Sequence, residues 1–295
     1  MPVSIQPKWL QVSPVLLLAL VLTGVGARYA FGEWPSSTAD DTPYKSPYSV
    51  QFTEPRDSLV GDLEHSERGN PEIESSIPFR DWYRGREKLS SWGPPARHYP
   101  PPRELERRSV TWKRERVIAT ALRFEGYSYQ HHHIPDWQPP AEGRARDNAG
   151  THGKKGVDCS NFSAFAYNLG LGIKPNSDVH KQSEERIFAG PGEGRETRVE
   201  RIELPKNYQD LVKTLKTGDL LFVKGSPRGH VTHVVLWVGT IGQSPDGLPL
   251  VLDSHGQGVK DSNDVHIPNG IHLRPFRQKS WYFESASHAT RVIHD

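Results

Sequence analysis

A chain of 295 residues with 35% hydrophobic residues, 25 prolines and a mean hydropathy of −0.66 suits one buried core beside a long polar segment, not two compact domains. Acids and bases are interleaved to a net charge of +2, which excludes the basic footprint of a nucleic-acid binder.

Residues 1–27 read as a targeting segment. Lys8 gives a weakly positive start, Pro14 to Val25 forms an apolar stretch, and Val25-Gly26-Ala27 offers small residues for cleavage. The stretch is about half the roughly 20 residues that a membrane-spanning helix needs. A cleaved signal peptide is expected, with a membrane tether through residues 14–25 as the alternative. Either makes the bulk of the chain exported, periplasmic or extracellular. Exported proteins usually hold cysteines as disulfide pairs. Cys159 is the only cysteine here, so it is either a small buried hydrophobe or a free reactive thiol.

Residues 28–105 read as a Pro-rich linker, largely irregular, with prolines recurring among Ser, Asp, Glu and Gly. Trp34, Trp82, Tyr83, Trp92 and Tyr99 are scattered through it and could dock it onto a domain or cover a site.

The domain proper is expected over residues 106–295. Val110, Val117, Ile118, Ala121 and Leu122 recur at helical spacing, and Gly126 offers a stop. A Tyr- and His-rich loop follows from Gly126 to Trp137, then a Gly-rich loop from Glu142 to Gly156. Asp158 is a good N-cap for a helix running through Phe162, Phe165 and Leu169 to Gly170. Further helices are predicted over 178–189 and 207–216. Past Thr217-Gly218-Asp219 the period becomes strand-like, with strands predicted at 219–223, 232–238 and 248–253. Residues 257–269 read as loop, and shorter strands are expected at 271–274, 281–283 and 289–293. Helices first and an antiparallel sheet second make an α+β pattern.

Cys159 stands one residue after the expected N-cap. At the positive end of a helix, unpaired N–H groups and the macrodipole favour a thiolate. The same groups can donate to a developing oxyanion. A thiolate also needs a base and a group that orients the base. His233 opens an apolar strand and His255 ends the next one. A hairpin would bring the two imidazoles side by side, so that one holds the tautomer of the other. Asp253 and Ser254 are the alternative orienting groups.

In order, Asp158-Cys159-Ser160-Asn161-Phe162, Thr217-Gly218-Asp219-Leu220-Leu221-Phe222, His233-Val-Val-Leu-Trp-Val-Gly239 and Leu252-Asp-Ser-His255 resemble the motif set of NlpC/P60 peptidases, from about Ser109 to Ile293. The resemblance implies a papain-like α+β fold, with N-terminal helices packed on a small antiparallel sheet. It implies Cys159 as nucleophile, His233 as general base and His255 orienting the base, with no metal and no cofactor. It further implies peptidoglycan stem peptides as substrates, cut between D-Glu and a diamino acid. The family carries a tyrosine upstream that reaches the site, and Tyr127 and Tyr129 compete for that role. Asp158 and Ser160 join them as substrate-contact residues.

Three departures stand out: Asn161 replaces the usual glycine, Val235 and Trp237 replace the usual Gly and Tyr, and residues 174–204 are an unmatched insertion. His131-His132-His133 reads as a polar wall or solvated loop, because adjacent residues rarely point at one metal. The competing readings are an inactive module that binds wall peptides or a partner protein, a papain-like acyltransferase, and a metal-dependent hydrolase.

Overall fold

The computed structural model describes residues 44–64, 98–126, 128–129, 156–256 and 258–295. In chain order its elements are β1 (Ser49–Val50), α1 (Arg56–Val60), α2 (Val110–Leu122), β2 (Ser128–Tyr129), β3 (Gly156–Val157), α3 (Cys159–Leu171), α4 (Val179–Glu184) and β4 (Ile187–Ala189). There follow β5 (Glu196–Arg198), β6 (Glu200–Glu203), α5 (Tyr208–Thr214), β7 (Leu220–Lys224), β8 (Val231–Gly239), β9 (Gly242–Gln243), β10 (Leu250–His255), β11 (Gly270–Pro275), α6 (Trp281–Glu284) and β12 (Ala286–Arg291). Among the described residues the main sheet has six antiparallel strands in the order β11-β10-β8-β7-β12-β6. Helices and an antiparallel sheet make the fold α+β.

The central strands are apolar on both faces because both faces are covered. On one face Val234, Leu236 and Leu252 pack with Val117 and Ile118 of α2 and with Phe162 and Phe165 of α3. On the other, Val235, Trp237 and Val251 pack with Tyr208 and Leu211 of α5 and Tyr282 of α6. Each such Leu or Val, removed from water, contributes about 1.5–3 kcal/mol. Strand alternation therefore decides which side of the molecule each polar residue of β8 and β10 reaches.

Helix α3 begins where its cap predicts. The Asp158 carboxylate accepts from the N–H of Asn161 at 2.9 Å. Its stop is not Gly170, which lies inside the helix, but Gly172 at φ +69°. A side chain at 172 would also meet the Pro101 backbone at 2.8 Å, so only glycine fits there.

Two predicted elements differ. The helix over 178–189 ends at Glu184, and Ile187–Ala189 turns into a strand paired with β5. The stretch 281–283 is a helical turn, not a strand, because Ser280 caps it.

The expectation of irregular linker before residue 106 fails for residues 44–64. Ser49–Val50 pairs with β9, and Leu59, Val60 and Leu63 are buried in the core. Helix α2 holds this arm with three consecutive contacts of different chemistry. Trp112 donates its indole N–H to the Ser58 carbonyl at 3.2 Å. The buried Glu115 accepts from the Thr53 N–H and hydroxyl and from the Glu54 N–H. Arg116 makes a two-pronged pair with Asp62, 2.7 Å on each side. Tyr99, 1% exposed, docks too, its N–H donating to the Asn168 side chain at 2.9 Å. Trp34, Trp82, Tyr83 and Trp92 lie outside the described residues, as do residues 1–27. No helix among the described residues is long and apolar enough to cross a membrane.

Candidate active site

Cys159 opens α3 and is 6% exposed. Its neighbour is His233, near enough for the charge of Cys159 to act on the imidazole. The Nε2 of His233 lies 2.7 Å from Oδ2 of Asp253, with both side chains buried. That leaves Nδ1 as the ring nitrogen for the cysteine. β8 carries His233 on the same face as Val235 and Trp237, and β10 carries Asp253 on the same face as Val251 and His255.

Asp253 is fixed from two further directions. Arg274 of β11, itself fully buried, donates from Nε to Oδ1 at 2.9 Å. Tyr282 of α6 donates its hydroxyl to Oδ2 at 2.9 Å. The remaining guanidinium nitrogen on that side, Nη2, donates to the carbonyls of Pro268 and Gly270. A carboxylate with these donors is held in one orientation, and it holds the imidazole in turn.

Burial alone would raise the Asp253 pKa, but the His233 hydrogen bond and the Arg274 charge outweigh it and hold the carboxyl well below its usual range. Burial alone would lower the His233 pKa. The Cys159 charge and the hydrogen bonds with Asp253 and Cys159 reverse that and push it up to about 10. The site thus stabilises an imidazolium between a sulfur and a carboxylate.

His255 does not fill the orienting role expected of it. Its ring meets His233 edge-on, with centroids 5.1 Å apart at 89°, while the hydrogen bond to Nε2 is that of Asp253. The two rings are perpendicular, one edge toward the other, whereas the carboxylate of Asp253 lies within hydrogen-bonding distance of Nε2. His255 remains at the site, half-buried beside Trp281.

Tyr129 lies at the site as well. β2 pairs with β3 in parallel, aligning Tyr129 with Val157, two residues before Cys159. Burial, and then the charges of Asp158, Cys159 and Asp253, push its pKa far above the ordinary value. Tyr127 lies outside the described residues, as do His131-His132-His133. Asp158 is buried and caps α3, also accepting from the Asn161 side chain at 2.9 Å. Ser160, expected to contact substrate, instead donates its hydroxyl to the Ser177 carbonyl at 2.6 Å and is 4% exposed, which makes it a packing contact of α3.

Residues 147–282 match the model of the NlpC/P60 family. The chain carries an NlpC/P60 domain. The match includes Cys159, His233, Asp253, Arg274 and Tyr282. Among solved structures the chain is similar to an NlpC/P60 family protein from Bacillus cereus ATCC 10987, at 20% identity and a TM-score of 0.35, over 61% of this chain and 40% of that one. It is similar to NlpC1 of Trichomonas vaginalis at 15% identity and a TM-score of 0.32, over 61% of this chain and 44% of that one. NlpC2 of the same organism matches at 14% identity and a TM-score of 0.33, over 62% of this chain and 47% of that one. The chain thus spans less than half the length of each of these proteins. No curated protein matches it.

Sequence reading of the NlpC/P60 motifs missed Arg274 and Tyr282. Arg274 had a signal, a charge inside the apolar run Ile271–Phe276, which calls for a buried partner. Tyr282 had none. Surface cavities of about 610 and 790 Å³ open elsewhere, around Trp112 and around Gly239, and neither is lined by Cys159 or His233. Among the described residues no group of three His, Cys, Asp or Glu side chains gathers as metal ligands.

Proposed function

We propose that this chain is an exported cysteine hydrolase that cleaves amide bonds of peptidoglycan stem peptides, between D-Glu and a diamino acid. The observation that carries the chemistry is a His233 whose Nε2 lies 2.7 Å from Asp253, beside Cys159 at the start of α3. The wall as target is supported by the family match and by the apolar segment at residues 14–25, which suits export or a membrane tether.

In the proposed reaction the Cys159 thiolate attacks the amide carbon and forms a carbon–sulfur bond. Backbone N–H groups in the first turn of α3 hold the oxyanion. The imidazolium of His233 gives its proton to the departing nitrogen as the carbon–nitrogen bond breaks. Water then attacks the thioester, passing a proton back to His233, and the acid is released with the thiolate restored. Asp253 keeps the ring in the tautomer that serves both steps. Tyr129 and Asp158 lie where a substrate would approach Cys159.

The test is to incubate the full chain and its Cys159→Ala form with purified wall fragments and with the free tripeptide stem, then read the products by mass spectrometry. Wild type should release a new amine and a new acid, and the variant neither. Equal products from both forms would sink the mechanism. No product from wild type, with a Cys159 inert to iodoacetamide, would leave a module that binds wall peptides without cutting them.

A further inference from the structure

Helix α6 places two aromatic residues against the histidines. Trp281, half-buried, has its ring centroid 5.3 Å from His233 and 5.6 Å from His255. Tyr282 lies 6.3 Å from His233 and uses its hydroxyl on Asp253. The indole does not drift, because its N–H donates to the Lys224 carbonyl at the end of β7 at 2.9 Å. Ser280, which caps the helical turn, is itself tied to the Arg277 carbonyl at 2.7 Å. One side chain thus lies beside both imidazoles, tilted 45° to His233 and 49° to His255, and is anchored through its N–H.

The groups that face His233 are Cys159 from α3, Asp253 and His255 from β10, and Tyr282 from α6, with Arg274 behind Asp253 and Tyr129 beside Cys159. Trp281 is the one among the ring neighbours that carries neither charge nor titratable proton. An aromatic face attracts a cation, and a hydrogen bond kept from water is stronger than one that water can contest.

We propose that Trp281 is a positioning residue of this site: it keeps water from the His233–Asp253 hydrogen bond and favours the charged form of His233. This rests on the reading of Cys159 and His233 as the reacting pair. A substrate platform or a mere fold anchor at Trp281 would leave the ionisation of His233 unchanged, so that ionisation is the quantity to measure.

The experiment is a pH titration of the full chain carrying isotope-labelled histidine, followed by NMR, with the His233 signal identified by its loss in His233→Ala. Trp281→Leu fills space without a π face, and Trp281→Phe keeps a face without the N–H anchor. The midpoint of His233 should fall by about one pH unit in Trp281→Leu and by about half that in Trp281→Phe. Turnover of wall fragments, where it is measurable, should fall through kcat with little change in KM. If both variants fold with midpoints within about 0.2 unit of wild type, Trp281 does not act on His233. A rise in KM with an unmoved midpoint would make it a substrate platform and overturn the proposal. The underlying pair is tested separately by Cys159→Ala, which should lower the same midpoint. If it does not, the reacting-pair reading fails whatever Trp281 does.

Discussion

The hydroxyl of Ser254 donates to the carbonyl of Val157 at 2.5 Å, with both residues buried in the core. Its neighbour Asp253 points to the opposite face of β10 and holds His233. Two consecutive residues of one strand therefore tie down the chain leading to Cys159 and the orientation of His233. Ser254→Ala removes the donor and leaves a buried carbonyl unsatisfied, at a cost of about 1–3 kcal/mol. The freed Val157 lies two residues before Cys159, and a misplaced nucleophile loses about tenfold to 10²-fold in kcat. Urea unfolding and turnover on wall fragments check both parts.

Asp253→Asn and His255→Asn separate the two candidate orienting groups. Asn at 253 removes the charge that His233 and Arg274 share, and turnover should fall by about 10²–10⁴-fold. His255→Asn leaves the tautomer lock in place and should cost about tenfold or less. Circular dichroism must accompany the first, because an unpaired buried Arg274 destabilises the fold. Equal losses in the two variants would return the orienting role to a shared arrangement of both residues.

The arm at residues 44–64 belongs to the folded unit, so a chain begun at residue 106 should be unstable. Arg116→Ala breaks the pair with Asp62 and the donation to the Gly170 carbonyl at 2.5 Å. The expected loss is about 2–4 kcal/mol, less than for a fully buried pair because Asp62 is partly exposed. A truncated chain should bind a hydrophobic dye where Leu59, Val60 and Leu63 have left the core. Thermal midpoints of the full chain, the truncation and the variant decide the matter.

Acid sensitivity should come in part from His272. Burial, then the Arg274 charge, push its pKa down to about 3 from an ordinary 6.5. The unfolded chain takes up a proton that the folded chain refuses, so this contribution to stability is present above about pH 6.5 and lost as pH falls toward 3. His233 has the opposite sign. Its pKa is raised to about 10, so its contribution is complete below about pH 6.5 and fades as pH rises toward 10. Denaturant unfolding across pH should show His272→Phe flattening the acid side and His233→Ala flattening the alkaline side. An unchanged acid limb in His272→Phe would assign acid lability to other groups.

Much of the architecture was legible because it is local. Val110–Leu122 shows its helix through spacing, Asp158 announces a helix by its cap, and the β7 and β8 strands announce themselves by apolar runs. Trp281–Phe283 was misread because aromatic content favours a strand, whereas a capping serine and a following turn decide a four-residue element. The arm was misread because its prolines and polar residues look like linker, and its few apolar residues gain value only against α2.

By itself the sequence determined the lone thiol at a helix start, the strand that carries His233 and the α+β order of elements, since caps, periods and motifs act over a few residues. Only the tertiary structure decided that Asp253, not His255, holds His233, and that Ser160 packs inward. Those outcomes depend on which side chains of β10, β11 and α6 converge across strands. Arg274 lies 21 residues from Asp253, and Tyr282 lies 29 residues from it. A hydrogen bond at such separations is set by sheet register and packing, for which no local pattern exists.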